Sequence, residues 1–140
     1  MPNADPRDVL ESAQTVAVVG CSTDPAKAAH YIPKRLQKAG FDIWPVNPTA
    51  KEILGVQTVP TLADLEGTPD LVVVFRPPNE AGDVTRQAIE IGAEAVWLQL
   101  GITSAEAEEL ADAAGIAFVQ DRCSGVDAQA FGIDKTASAA

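Results

Sequence analysis

The stretch "VAVVGCSTDP", Val16 to Pro25, decides the fold. Four small apolar residues make a strand that can be covered on both faces, and Gly20 lets the chain turn out of it. A dinucleotide-binding loop would continue as G-x-G-x-x-G, but Ser22 and Pro25 occupy the second and third glycine positions. The loop still suits an anion. Ser22 and Thr23 offer hydroxyl and backbone N–H groups, and the chain runs into a helix whose N-terminus favours phosphate. That helix is expected over "YIPKRLQKAG" (31–40), with Pro33 in its opening turn and Gly40 as its stop.

Four more apolar runs follow: "FDIWPV" (41–46), "DLVVVF" (70–75), "EAVWLQL" (94–100) and "IAFVQ" (116–120). Most are nearly continuous in Val and its like, as in strands buried on both faces. Pro45 suits an edge strand or a strand end. Helical patterns separate the runs. Ala81, Val84, Ala88 and Ile91 share a face of 79–91, and Ser104 caps 104–114, which Gly115 closes. A short helix is expected from Pro6 to Ser12, and another, capped by Thr61, inside the connection 56–70. This alternation implies right-handed crossovers and a parallel sheet. The expected fold is α/β: one Rossmann-like doubly wound domain over residues 1–140, with a mainly parallel five-stranded sheet. Its core would run from about 15 to 131, ahead of a loose tail "KTASAA".

No apolar run approaches the roughly 20 residues that span a bilayer, and the N-terminus carries no secretory pattern. Cys21 and Cys123 lie too far apart for a metal knuckle or a CxxC pair, so no metal site is expected. The chain reads as cytoplasmic, with reduced thiols. A net charge of -10 argues against nucleic acid. Yet Lys27, Lys34, Arg35, Lys38 and Lys51 face only Asp42 within 25–51, which suits a small anionic ligand or a solvated basic helix face.

In a doubly wound sheet the ligand sits beyond the carboxyl ends of the strands. Those ends are Gly20-Cys21-Ser22, Asn47-Pro48, Arg76-Pro77-Pro78, Gln99-Leu100-Gly101 and Asp121-Arg122-Cys123. An NAD site also needs an acid at the end of the second strand, and "WPVNP" has none. A ligand with phosphates and an adenine, but a different ribose end, satisfies the loop. Lys27 and His30 would supply charge, and Arg76 a cationic or stacking contact.

Five motifs, in order, carry a resemblance: "VAVVGCSTDPAKAAHYIPKRL" (16–36), "PVNP" (45–48), "LGVQTVPTLADL" (54–65), "VWLQLGI" (96–102) and "DRC" (121–123). The chain resembles the stand-alone coenzyme A-binding domain proteins. These are similar to the N-terminal domain of the succinyl-CoA synthetase alpha subunit. The resemblance implies CoA or acyl-CoA lying across the strand ends. Gly20, Cys21 and Ser22 would face the phosphates, with Lys27 and His30 near them and Asn47 and Pro48 near the adenosine. Phe75, Arg76 and Pro77 would line the adenine pocket. Gln99, Leu100 and Gly101 would border the pantetheine arm, and Asp121, Arg122 and Cys123 its thiol end. Relatives commonly have Ala at Cys21 and Arg-Arg at Arg76-Pro77, and they continue differently after Cys123, so nothing is carried over beyond it. The synthetase histidine lies in a second domain that this sequence does not match, so ligase activity is not implied.

The expected function is a non-catalytic, regulatory module binding CoA or acyl-CoA, touching neither nucleic acid nor membrane, with a homodimer or another protein partner left open. The alternatives are an enzyme acting on a CoA thioester through Cys21 or Cys123, and an NAD(P)-binding domain. Cys21 reads as a small residue fitting a tight loop and Cys123 as a buried, inert thiol. Asp121 and Arg122 are expected to pair with each other, and Trp44 and Trp97 to lie in the core.

Overall fold

A computed structural model describes residues 4–136. Helix α1 (Pro6–Ser12) leads into β1 (Thr15–Val19), α2 (Ala28–Lys38) and β2 (Asp42–Val46). A small hairpin of β3 (Glu52–Ile53) and β4 (Val56–Gln57) follows, then a 3-10 turn (Leu62–Asp64). The rest alternates as β5 (Leu71–Val74), α3 (Pro78–Glu90), β6 (Ala95–Leu98), α4 (Ala105–Ala114), β7 (Ala117–Val119) and α5 (Ser124–Ala130). The five main strands form one parallel sheet in the order β2-β1-β5-β6-β7. This is the doubly wound α/β fold expected from the sequence.

Period-two alternation divides the core between the sheet's faces. Val16, Val18, Leu71, Val73 and Trp97 pack under α1, α2 and α5 through Leu10, Leu36 and Ala128. Ala17, Val72, Val74, Val96 and Leu98 face α3 and α4 through Ala81, Ala88, Ala107 and Ala111. Trp97 is wholly buried, whereas Trp44 on the edge strand is only half-buried. Pro45 sits in that edge strand opposite Val18, where a missing N–H is tolerated.

Helix α2 begins at Ala28, earlier than expected, which places Pro33 in its interior and His30 in its first turn. Proline cannot donate to the carbonyl four residues back and pushes it outward. The Ala29 carbonyl instead accepts the Ser22 N–H, at 3.0 Å, across the loop that ends β1. The β3–β4 hairpin and α5 are additions to the expected elements. At the C-terminus, Lys135 donates its N–H to the Ala39 carbonyl and its ammonium to the Glu11 carbonyl, 5.1 Å from the Phe41 ring centre. The remainder of the tail, 137–140, lies outside the described residues. Among these, no helix is long and apolar enough to cross a membrane.

Candidate functional site

From β1 the chain moves to β2 on one side, then returns past β1 to β5 on the other, so the strand order reverses between β1 and β5. Such switch points open a crevice at the carboxyl edge. Here the crevice begins at Gly20, whose φ is +84°. A Cβ on Gly20 would lie 2.6 Å from the Phe75 carbonyl oxygen and 3.0 Å from Arg76 Cδ. The glycine therefore answers to the close approach of the β5 exit, as well as to the turn itself. Beside it lies a cleft of about 260 Å³, lined by Gly20, Pro48, Pro60, Thr61, Arg76, Glu80, Val84 and Gln87 among others.

The loop from Gly20 to His30 is tied down from several sides. Asn47 donates its side-chain N–H to the Cys21 carbonyl at 2.9 Å, while its Oδ1 accepts from the N–H groups of Thr49 and Ala50. Ser22 Oγ accepts from the Asp24 N–H, and Asp24 in turn accepts from the Ala26 N–H. His30 Nδ1 lies 2.7 Å from the Ser22 carbonyl, so that nitrogen carries the proton. The Ser22 N–H is thus committed within the protein, and the expectation that it is offered to a phosphate is corrected; its hydroxyl keeps a proton to donate. At the start of α2 no side chain caps the helix and no acid stands in the first turn. The N–H groups of Ala28 and Ala29 precede its first helical bond, from Tyr31 N–H to the Lys27 carbonyl. They and the exposed Lys27 ammonium remain for an anion.

The β6 and β7 ends form a second group. Gln99 is buried and accepts the Ser124 N–H through Oε1 at 2.9 Å. Gly101 donates its N–H to Asp121 Oδ1 at 2.7 Å, and Trp97 Nε1–H donates to the Arg122 carbonyl at 2.8 Å. Arg122 pairs with Asp127, at 2.6 and 3.0 Å, rather than with Asp121 as expected. Asp121 is drawn to Gly101 with a φ of +55°, while Asp127, one turn into α5, faces the Arg122 guanidinium. Leu100 stands 70% exposed beside this group.

The two thiols differ. Cys21 is buried, and burial pushes its thiol up to about 11, although a hydrogen bond from the Ser22 N–H works the other way. A thiol held protonated is a poor nucleophile. Cys123 caps α5 and is half-buried rather than wholly so.

The parallel sheet places every expected strand-end residue along one edge, in two sets. Gly20, Pro48 and Arg76 meet at the cleft, with Asn47 tied to the Cys21 carbonyl, Pro77 heading α3, and Lys27 and His30 at the start of α2. Gln99, Leu100, Gly101, Asp121, Arg122 and Cys123 gather beyond β6 and β7. Phe75 lies between, half-buried against the apolar cluster that holds Cys21 and Trp97. The cleft also uses Thr61 and Glu80, which sequence reasoning passed over. Arg76 and Glu80 stand four apart at the head of a helical pattern, and that spacing was the available signal.

A parallel doubly wound sheet with a cleft at its switch point defines the class of nucleotide-binding α/β domains. Within that class, this chain belongs to the CoA-binding domain family, whose model matches residues 14–129. It is 35% identical over 120 residues to the protein YneT of Bacillus subtilis (strain 168), covering 86% of this chain and 89% of YneT. The solved structure of cell-free ID.343 from Thermus thermophilus is similar, with a TM-score of 0.86 at 36% identity, covering 91% of this chain and 99% of that one. Acetate–CoA ligase [ADP-forming] I of Archaeoglobus fulgidus is 28% identical over 123 residues. That match takes in 81% of this chain and 18% of the ligase. The chain is homologous to the N-terminal CoA-binding region of such ligases.

Proposed function

We propose that this protein binds CoA or acyl-CoA as a non-catalytic module. The base and sugar occupy the cleft between Gly20, Pro48 and Arg76, and the pyrophosphate meets Lys27 and the unpaired N–H groups that open α2. The pantetheine arm runs past Leu100 and Gly101 toward Cys123. The observation that carries this reading is the cleft at the β1/β5 switch point of a CoA-binding family member.

The chemistry of the edge supports binding without turnover. Cys21 holds its proton, and the sequence offers one histidine, His30, as a candidate base. An NAD reading is disfavoured at β2, where Asn47 spends its side chain on Cys21, Thr49 and Ala50 and leaves no acid for a ribose diol. Two free cysteines suit a reducing compartment, and the cytoplasm is the location that goes with this reading.

Calorimetric titration with CoA, acetyl-CoA, NAD and ATP tests it. CoA and acetyl-CoA are expected to bind more tightly than NAD. Tight NAD binding with no heat from CoA would overturn it.

A further inference from the structure

We infer that Glu80 sets the charge specificity of the cleft. By holding Arg76 in a bidentate pair, it denies that guanidinium to a ligand phosphate. The cleft then takes the base and sugar of a nucleotide without reading a 3′-phosphate. This rests on the CoA reading above and adds a residue that the family resemblance does not assign.

Arg76 Nε lies 3.1 Å from Glu80 Oε1, and Nη2 lies 2.9 Å from Oε2. Both side chains line the same cleft, where Arg76 is the one cation among the described residues. The Arg76 stem passes close to Gly20, and its side chain is half-exposed. Glu80 stands in the first turn of α3, where the helix dipole favours a carboxylate. Pro77 and Pro78 open that helix without N–H groups, which removes two donors that a phosphate would otherwise find there. Glu80 takes the Nε and Nη2 side of the fork, so a phosphate reaching the remaining Nη1 would sit beside a carboxylate already bound to the same cation. Displacing it forfeits the pair, and keeping it sets two anions side by side. An uncharged base and sugar meet neither difficulty, and a half-exposed planar guanidinium suits stacking on a base.

The test compares CoA with dephospho-CoA, which lacks only the 3′-phosphate, by calorimetry on the whole chain. The native protein is expected to bind the two within about threefold of each other. Glu80→Gln keeps the shape and removes the charge, so the preference for CoA over dephospho-CoA should rise about fivefold, the scale of a half-exposed ion pair. Arg76→Gln added to Glu80→Gln should abolish that rise, which a merely structural role for Glu80 would not produce. Melting curves of each variant check that it folds. A native preference for CoA of tenfold or more, or an unchanged ratio in Glu80→Gln, overturns the inference and leaves the CoA reading standing. Failure of the native chain to bind either ligand sinks both.

Discussion

At the end of β1, Gly20 and Cys21 are neighbours with separate duties. Gly20 admits the β5 exit: an added Cβ would meet a backbone oxygen at 2.6 Å, an atom that no rotamer change can move aside. With φ at +84° the backbone strain comes in addition. Gly20→Ala should therefore destabilise the fold by about 2–4 kcal/mol, read as a lower denaturant midpoint at unchanged slope. A cost under 0.5 kcal/mol would show that the two strand ends can part easily. Cys21 looks the other way, into the core, where its thiol is held protonated up to about 11. Its folded value lies above its unfolded one. Its contribution is therefore complete below the ordinary thiol range and is lost as pH climbs through about 11. Between about pH 9 and 11 the native chain should lose stability faster than Cys21→Ala, as melting temperatures would show. A thiol reagent should modify Cys123 in the folded protein and Cys21 only as it opens. Rapid labelling of both would return Cys21 to the list of candidate nucleophiles.

Among the elements, α2 shows how one residue shapes a site at a distance. Pro33 leaves the Ala29 carbonyl without its helical partner, and that carbonyl anchors Ser22. Pro33→Ala supplies an N–H that competes for the same oxygen. The Ser22 amide should then exchange with solvent severalfold faster while the global midpoint holds or rises. Unchanged Ser22 protection would mean that the loop does not depend on the interrupted helix. At the opposite edge of the sheet, Asp70 accepts from the N–H groups of Gln14 and Thr15 and so fixes the start of β1. Burial alone would raise its carboxyl, but those donors outweigh it and hold the group below its ordinary value. Asp70→Ala should cost about 1–2 kcal/mol at neutral pH, and the gap to the native chain should close as pH falls below about 4. The same elements show what the sequence could reveal. Five apolar runs and four of the five α-helices were legible, because burial on both faces or on one stripe, or a cap and a proline at a helix start, writes a signal that can be read. The β3–β4 hairpin has two residues per strand, too few for any alternation. Helix α5 is seven residues dense in small side chains, with no apolar stripe. The start of α2 was misplaced because proline usually marks a first turn, and only the bond from Ser22 explains one further in. At the site, the strand ends were legible from topology. The partner of Arg122 was not, because that pair depends on how the loop after β7 turns, whereas the spacing of Arg76 and Glu80 was there to be read.

For the molecule as a whole, parallel strands turn five separate loops into one edge, and the ligand reading depends on that edge acting together. A larger hollow of about 710 Å³ lies elsewhere, between α2, α5 and the C-terminal segment, lined by Arg35, Lys38, Gln129 and Asp134 among others. It flanks the later half of α2, next to the start of β2 rather than its end, and it touches none of the strand-end loops. Volume favours the hollow and topology favours the cleft. Topology has the stronger physical claim, because only the carboxyl edge combines the switch point, Gly20 and the uncapped start of α2. CoA at a hundredfold excess over its dissociation constant should add about 2.7 kcal/mol of stability, a rise of roughly 8 °C in melting temperature for a chain of this size. Amide protection should then increase in the loops after β1, β2, β5 and β6, while Arg35 to Ala39 and the end of α5 stay as they were. Stabilisation with protection confined to the α2–α5 hollow would place the ligand away from every strand end, and the basic residues of α2 would be the anion site in their own right.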